Sequence, residues 1–312
     1  METIENLIIE TTTACNLRCI HCGYKLISSH NIDTALVIDI IEKLIEYGLK
    51  MVMFTGGEPT LNKDLLFIAR FCKQKDLRVK IASNGSFLDP INALLKENII
   101  DELVISVDAI YSQTYLQIRG RDVLKSIYQF IEQNQQYSNR IHLSFLIQKS
   151  NYNELIPFLE KAKALNIAKV SLLVPHYDMD FTTLVNSDDY RNMLYLSNAD
   201  ILKFQQSIVP ALRNFYLNNH RLFTCSINHI EALINYICAP DFNHNFRNSV
   251  CSFPLKSLFL YSDGRLALCP YSYNWSIDLT SFLVDIKKVR MKCKLEGKEK
   301  NSYCRRCLEV PL

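Results

Sequence analysis

The chain has 312 residues, of which 48% are hydrophobic and 21% are charged. This length suits one large domain, or one domain with a smaller appendage, and the composition excludes a disordered chain. The formal net charge of +3 gives no reason to expect a nucleic-acid or membrane partner. The N-terminus carries no signal-peptide pattern, and no segment reaches the ~20 apolar residues needed to span a bilayer. We therefore expect a cytoplasmic protein.

Predicted strands and helices alternate along the first 180 residues. The predicted strands are residues 4–10, 50–55, 78–83, 102–107, 141–147 and 169–174. The predicted helices are residues 34–47, 63–75, 89–97, 121–136 and 153–165. Apolar strands separated by helices indicate a parallel sheet covered by helices. An open doubly wound sheet and a partial barrel both satisfy the pattern, and both place the chemistry at the C-terminal ends of the strands.

The rhythm changes after residue 180. Residues 198–219 and 226–238 have helical patterns. Residues 255–268 predict a β-hairpin, because an Asp-Gly turn at Asp263-Gly264 separates two apolar runs. A helix over about 278–294 and a cysteine-bearing tail complete the chain.

Eleven cysteines need an explanation in a reducing compartment, where disulfides are rare. Cys15, Cys19 and Cys22 form a C-x3-C-x2-C motif just after the first predicted strand. Three thiolates cannot close a tetrahedral structural zinc site, but they can hold three irons of a [4Fe–4S] cluster and leave the fourth iron open. Two alternatives stay open: three buried thiols, or a zinc site completed by His21, although adjacent side chains diverge.

The cysteine motif resembles that of the radical S-adenosylmethionine (radical SAM) superfamily, and the resemblance covers about residues 1–180. It implies a partial, TIM-like (β/α)6 barrel in which SAM chelates the open iron. One-electron reduction, with flavodoxin or ferredoxin as donor, then cleaves SAM to a 5′-deoxyadenosyl radical that abstracts a hydrogen atom from substrate. His21 stands where this family usually has an aromatic residue.

Turns that follow the next strands predict the SAM site. Gly56-Gly57-Glu58-Pro59 matches the family motif that binds the SAM amino group, and two glycines allow a close backbone approach. The residues that we expect to hold SAM are Gly56, Gly57, Glu58, Pro59, Ser83, Asn84, Ser106, Asp108 and Arg119.

Several of these residues also have an interpretation that involves no ligand. Ser83 and Asn84 suit an ordinary Asn-Gly turn. Alternation along the strand places Ser106 and Asp108 on one face, but Asp108 also suits a cap of the following segment. Arg119, which precedes the predicted helix 121–136, suits a bidentate pair with the SAM carboxylate or simple solvation.

A second group of cysteines lies near the C-terminus. Cys251 and Cys269 flank the hairpin glycine, and a Cys304-x2-Cys307 pair follows. The spacing allows zinc or an iron–sulfur cluster. The pattern resembles the SPASM/Twitch auxiliary domain, which implies an auxiliary [4Fe–4S] cluster for electron transfer, with Cys293 as an alternative ligand. The expected domains are a radical SAM core at 1–180, a helical connector at 181–249 and a small Twitch domain of hairpin plus helix at 250–312.

Candidate substrate-facing residues follow the sixth strand. His176, Tyr177 and Asp178 lie in a polar loop at the expected catalytic end of the barrel, although such a loop is commonly just solvated. Cys238, or equally Cys225, suits a hydrogen-atom donor to a product radical, against a plain buried cysteine.

The expected function is a radical SAM reaction on a small molecule or a peptide. Oxidation or dehydrogenation of a small molecule and modification of a peptide are both consistent with an auxiliary cluster. Two alternatives from other classes are a non-catalytic zinc-stabilised binding protein and an iron–sulfur electron carrier.

Overall fold

The computed structural model describes residues 3–175, 192–239, 256–269 and 276–277. Its strands are β1 Asn6–Thr12, β2 Met51–Gly56, β3 Arg78–Ser83, β4 Glu102–Ser106, β5 Ile141–Leu146, β6 Lys169–Leu173, β7 Ser257–Leu260, β8 Leu266–Ala267 and β9 Ser276–Ile277. Within the described residues these strands form one sheet in the order β6-β5-β4-β3-β2-β1-β7-β8-β9.

Helices follow each of the five strands β1 to β5, as the sequence predicted. They are α1 Thr34–Ile45, α2 Leu65–Gln74, α3 Asp89–Lys96, α4 Ser112–Arg119, α5 Leu124–Gln133, α6 Leu155–Ala164, α7 Asn198–Lys203, α8 Val209–Asn219 and α9 Ile227–Cys238. A π-helical segment, Phe204–Ile208, joins α7 to α8, so the predicted helix 198–219 is interrupted. None of the helices described is long and apolar enough to cross a membrane.

The strand order decides between the two predicted architectures. Strands β1 to β6 are parallel, and each pairs with the next one along the chain. A doubly wound sheet reverses its strand order at a switch point, whereas this order never reverses. The expected partial barrel is therefore confirmed.

The two faces of the sheet differ in their accessibility. Val79, Leu103 and Val170 belong to the face that packs against the helices, and all three are fully buried. Alternate residues, such as Ala82 and Val104, are only partly buried. Since successive side chains point to opposite faces of a strand, the second set lines the concave inner side of the barrel.

The C-terminal hairpin continues the barrel sheet. Strand β7 runs parallel to β1, with Asn6 opposite Ser257 and Ile9 opposite Leu260. Strand β8 returns antiparallel to β7, and Gly264 in the turn has φ 89°. The predicted hairpin is thus present, attached to β1. The existence of a separate domain over 250–312 stays a prediction, because most of that range lies outside the described residues.

Candidate functional site

The segment between β1 and α1 forms a closed loop that carries the first three cysteines; we call residues 13–30 the cysteine loop. The Thr13 hydroxyl donates to the Ser28 carbonyl at 2.8 Å, and the Thr13 amide donates to the His30 carbonyl at 2.9 Å. Both ends of the loop are therefore held together. The Arg18 amide also donates to the carbonyl of Arg119 at 3.1 Å, so that the loop is docked on the end of α4.

The three thiols lie close enough to one another to interact electrostatically. Cys19 is buried, while Cys15 and Cys22 are half-buried. Burial raises the pKa of Cys22 to about 11, and the neighbouring thiols Cys19 and Cys15 add to this rise. Because iron binds thiolates, occupation of this site would release protons.

Two donors approach the thiol sulfurs from other elements. The Arg119 Nη1 atom lies 3.7 Å from Cys19 Sγ, and the Asn84 Nδ2 atom lies 3.6 Å from Cys15 Sγ. In the part of the chain that the structure describes, no three Cys, His, Asp or Glu side chains converge on a position for a single metal ion. A four-iron cluster instead offers each thiolate its own iron, so it suits three thiols arranged around a pocket.

The glycine pair brings the end of β2 against the cysteine loop. The Gly57 amide donates to Thr12 O, and the Glu58 amide donates to Ala14 O, both at 2.8 Å. A Cβ on Gly57 would lie 2.2 Å from Ala14 O, which no side chain can tolerate. Gly56 has φ 132°, and its Cβ would lie 2.3 Å from Thr12 O. Both glycines are required by this contact.

Glu58 joins two of the predicted SAM-binding turns. Its side chain is fully buried, and burial raises its pKa although hydrogen bonds act in the opposite direction. One carboxylate oxygen accepts from the hydroxyls of Thr60 at 2.7 Å and Ser83 at 2.9 Å, and the other accepts from the Asn84 amide at 2.7 Å. Pro59 begins the short 3-10 turn that carries Thr60. Glu58 therefore fixes the Ser83-Asn84 turn.

An amide in the cysteine loop, which sequence reasoning missed, connects the loop to that turn. Asn16 Oδ1 accepts from Asn84 Nδ2 at 3.1 Å and from the Ser86 hydroxyl at 2.7 Å. The sequence signal was available, because Asn16 is a polar residue directly beside Cys15. Three segments that are far apart in the chain thus meet beside the first thiol.

An ion pair lies on the other side of the thiols. Arg119 Nη2 is 2.5 Å from Asp108 Oδ2, and both side chains are almost fully buried. Burial acts to lower the pKa of Arg119, but the Asp108 carboxylate, Cys19 and Tyr115 together act in the opposite direction, and the pKa is raised. Because its side chain is buried, the solvated interpretation of Arg119 is wrong. Arg119 is the last residue of α4, a helix that the sequence did not predict.

Asp108 also orients its neighbours. Its Oδ1 atom accepts from the Leu146 amide at 2.9 Å, which ties the end of β4 to β5. The N-cap position of α4 is Tyr111, and no side chain caps that helix. The capping role considered for Asp108 is therefore wrong. His21 Nε2 lies 3.9 Å from Asp108, and burial lowers the pKa of His21 to about 4. His21 is therefore neutral at pH 7.

Buried polar atoms remain available to a ligand in this region. Arg119 Nε is buried and has no hydrogen-bond partner among the described residues. Gln148, a fully buried residue that sequence reasoning missed, has no well-aligned partner there for either amide atom, although its side chain adjoins His21. Buried donors and acceptors are normally satisfied. An arginine donor beside the thiols fits the carboxylate of SAM.

The remaining predicted residues lie in different places. Ser106 ends β4 on the inner face, where its Oγ is 3.4 Å from Ser144 Oγ. Cys238 ends α9, and no described contact joins it to the cysteine loop. Cys269 follows β8 and is half-buried. The predicted residues outside the described ranges are His176, Tyr177, Asp178, Cys251, Cys304 and Cys307.

Curated relatives are similar over most of the chain. A probable GTP 3′,8-cyclase of Sulfurisphaera tokodaii is 26% identical over 285 residues, which is 90% of this chain and 86% of the relative. A probable GTP 3′,8-cyclase of Pyrococcus abyssi is 25% identical over 85% of this chain and 84% of its own length. A third, from Sulfolobus acidocaldarius, is 29% identical over 55% of this chain and 56% of the relative.

Solved structures share the fold. Streptococcus suis SuiB bound to S-adenosylmethionine has a TM-score of 0.68 at 14% identity, covering 97% of this chain and 72% of that one. Native anSMEcpe with bound AdoMet and the Kp18Cys peptide has a TM-score of 0.67 at 18% identity, covering 98% of this chain and 90% of that one.

The family model for the radical SAM superfamily matches residues 9–177, about half of the chain. This range contains the cysteine loop, the glycine pair and the Asp108–Arg119 ion pair. The chain belongs to the radical SAM superfamily.

Proposed function

We propose that the protein holds a [4Fe–4S] cluster on Cys15, Cys19 and Cys22, binds SAM beside it, and abstracts a hydrogen atom from an organic substrate. Membership of the superfamily implies the cluster and SAM. The observation that carries the proposal for this chain is the convergence of the thiol pocket, the glycine contact and the unpartnered Nε of Arg119 at one edge of the sheet. That edge is where parallel α/β folds carry their chemistry.

The bound cluster and SAM would supply one-electron reductive cleavage followed by hydrogen-atom abstraction. The chain's own residues then have positioning roles. Arg119 would pair with the SAM carboxylate through Nε while its Nη atoms remain engaged with Asp108 and Cys19. Gly56 and Gly57 would keep the β2 backbone close to the amino group. Such orientation and exclusion of water are what a protein contributes to cofactor chemistry.

The auxiliary centre belongs to the same proposal. Cys251, Cys269, Cys304 and Cys307 would hold a second [4Fe–4S] cluster that exchanges an electron with the substrate radical. Support comes from the hairpin, because its pairing with β1 attaches Cys269 to the barrel that holds the first three thiols. A flavodoxin or ferredoxin would supply the reducing electron.

Charged residues on the inner face of the barrel favour the proposal of a small acidic substrate. We call these residues, Lys80, Glu102, His142 and Lys169, the charged patch. Lys80 pairs with Glu102 at 3.3 Å, and His142 lies 3.8 Å from the same carboxylate. Strand pairing sets His142 beside Lys169. The single carboxylate does not balance the cations, so the patch favours an anionic group.

The distance along β3 sets the size of such a substrate. Lys80 precedes Asn84 by four residues, about 13 Å at the rise of a strand. A molecule of nucleotide size would therefore reach from the SAM site to the charged patch. Modification of a small molecule is accordingly our first candidate, and modification of a peptide the second.

The curated relatives suggest one concrete reaction for a small anionic substrate. They are named as probable GTP 3′,8-cyclases, and GTP carries a polyanionic group at one end. We therefore include cyclisation of a nucleoside triphosphate beside oxidation and dehydrogenation. The charged patch is the feature of this chain that favours it.

The proposal is tested first by metal content and SAM cleavage. We expect about eight irons per chain after anaerobic reconstitution, falling to about four in Cys15/Cys19/Cys22→Ala. Reduction with dithionite in the presence of SAM should release 5′-deoxyadenosine from the wild type only. Zinc in place of iron would support a metal-stabilised binding protein, and iron without SAM cleavage would support an electron carrier; either result would reject the proposal.

The substrate is tested by binding to the reconstituted protein. GTP should bind to wild-type protein in equilibrium dialysis, and Lys80→Met should weaken binding about tenfold through loss of one charged contact. Lys96→Met, a change in the last turn of α3, is the control. Equal binding by all three proteins would remove the charged patch from the argument and leave peptide substrates as the first candidate.

A further inference from the structure

A buried carboxylate on β1 joins two segments that both carry cysteines. Glu10 lies on the inner face and is only 6% exposed. Its Oε2 atom accepts from the hydroxyl of Tyr24. Its Oε1 atom accepts from the Ser262 amide at 3.1 Å and from the Ser262 hydroxyl at 2.6 Å.

The donors belong to parts of the chain that are remote in sequence. Tyr24 lies two residues after Cys22 in the cysteine loop, and Ser262 lies in the hairpin turn, seven residues before Cys269. One carboxylate thus contacts both segments through different oxygens.

The arrangement makes each contact depend on the other. A buried carboxylate is costly unless several donors satisfy it. If one segment moves away, Glu10 loses some of its donors, and its hydrogen bonds to the other segment become less stable. Hydrogen bonds to a charged group are also stronger than those between neutral groups. The two segments therefore have a shared partner whose position both of them determine.

We propose that Glu10 is a positioning residue that couples the cysteine loop to the C-terminal hairpin, so that the order of each segment depends on the docking of the other. The coupling itself rests on the hydrogen bonds. Its consequence, that the geometry of the SAM cluster responds to the hairpin and that of the auxiliary centre to the loop, rests on the proposed function.

Hydrogen–deuterium exchange on the reconstituted protein measures the coupling in both directions. Tyr24→Phe should accelerate amide exchange about tenfold not only in the cysteine loop but also in residues 257–268 of the hairpin. Ser262→Ala should likewise accelerate exchange in the hairpin and in the cysteine loop. Coupling free energies are reciprocal, so both cross effects are required. Acceleration confined to the mutated segment would overturn the proposal.

Three variants separate coupling from general loosening. Ser257→Ala removes a hairpin hydroxyl that accepts from Asn6 at 3.1 Å, at the opposite end of β7, and should leave exchange in the cysteine loop unchanged. Glu10→Gln keeps an oxygen that accepts from Ser262, and its Nε2 atom can donate a hydrogen bond to the Tyr24 hydroxyl oxygen. We expect Glu10→Gln to resemble the wild type and Glu10→Leu to accelerate exchange in both segments.

A spectroscopic measurement tests the consequence for the metal centre. In Ser262→Ala, the electron paramagnetic resonance signal of the reduced SAM-bound cluster should shift, although Ser262 lies in the hairpin. An unchanged signal together with coupled exchange would reject the consequence and keep the coupling. Absence of iron from every variant would reject the proposed function, and the exchange measurement would still decide the coupling.

Discussion

Arg119 connects the Cys19 thiol with a buried carboxylate, and it is the residue on which the proposed SAM site depends most. It donates to Cys19 Sγ and pairs with Asp108. Replacement by methionine keeps an unbranched apolar stem and removes the charge. Asp108 would then be a buried carboxylate without its cation, which costs about 3–5 kcal/mol in comparable cases.

We therefore predict two effects of Arg119→Met. The thermal midpoint should fall, and the reduction potential of the first cluster should become more negative, since a hydrogen bond to the thiolate that favours the reduced state is lost. Calorimetry and a redox titration followed by electron paramagnetic resonance would measure them. The exposed neighbour gives the control, because Arg121→Met should change neither quantity. An unchanged potential in Arg119→Met would contradict the proposed contact with Cys19.

Gly57 is a second residue whose role is steric. Gly57→Ala would place a Cβ 2.2 Å from the carbonyl of Ala14, and the cysteine loop would have to move. We expect an overpacking cost of about 1–3 kcal/mol and a loss of SAM affinity of tenfold or more. Equilibrium dialysis with SAM and the iron content would measure the result.

The control for this change uses a glycine far from the thiols. Gly48 has φ 88°, and its Cβ would meet only the Thr3 side chain at 3.1 Å. Gly48→Ala should lower the thermal midpoint without reducing SAM affinity. Loss of SAM affinity in both variants would show that the effect of Gly57→Ala is one of general stability.

At the level of elements, Glu58 determines how the end of β2 is connected to the end of β3. In Glu58→Gln, an amide group would face the Asn84 amide, so two donors would oppose each other in a buried site. We predict a loss of about 1–3 kcal/mol and displacement of the Ser83-Asn84 turn. Weaker SAM binding and a lower unfolding midpoint would follow together.

The same substitution at an exposed glutamate is the control for the effect of burial at Glu58. Glu97→Gln also removes a carboxylate that accepts hydrogen bonds, but its partner Arg70 is exposed and water can replace it. We expect little change in either quantity for Glu97→Gln. Wild-type SAM affinity in Glu58→Gln would show that the turn is held by other contacts.

The sequence predicted those elements whose signals are local. The Gly56-Gly57 turn and the Asp263-Gly264 hairpin were both predicted from glycines, whose backbone can adopt positive φ. Helix α4 was missed because Ser112–Arg119 is polar and short, so its apolar periodicity is weak. The π-helical segment was missed because one added residue in a turn leaves the helical pattern intact. Pairing of β7 with β1 depends on contacts 251 positions apart, which no local pattern encodes.

The same limit applies to the site. The thiols and the glycines could be read from their spacing, and Arg119 from its likeness to the family. Gln148 could not be assigned, because its importance comes from burial. Asn16 could be noticed beside Cys15, but its partner Asn84, in the turn after β3, could not be foreseen. For the whole molecule, the division of the sheet into a helix-covered face and an open inner face explains the charged patch, since polar residues at alternate positions are tolerated only on the inner side.

Acid stability of the whole molecule tests that patch through His142. Burial lowers the pKa of His142 to about 4, although Glu102 nearby acts to raise it. In the unfolded chain His142 binds a proton near pH 6.5, whereas in the folded protein it binds one only near pH 4. The free energy of unfolding therefore falls as the pH drops from about 6.5 towards 4. At pH 5 the loss from this group is about 2 kcal/mol.

We predict that His142→Asn flattens this part of the stability profile. Relative to the wild type, its thermal midpoint should rise as the pH falls from 7 to 5, while the exposed His220→Asn should follow the wild type throughout. The pKa of Glu102 is lowered by its cations in spite of burial, so its contribution is lost only on further acidification, and both proteins should then decline. A constant difference between wild type and His142→Asn from pH 7 to 5 would show that His142 is solvated, and the patch would then be an open surface instead of the lining of a substrate cavity.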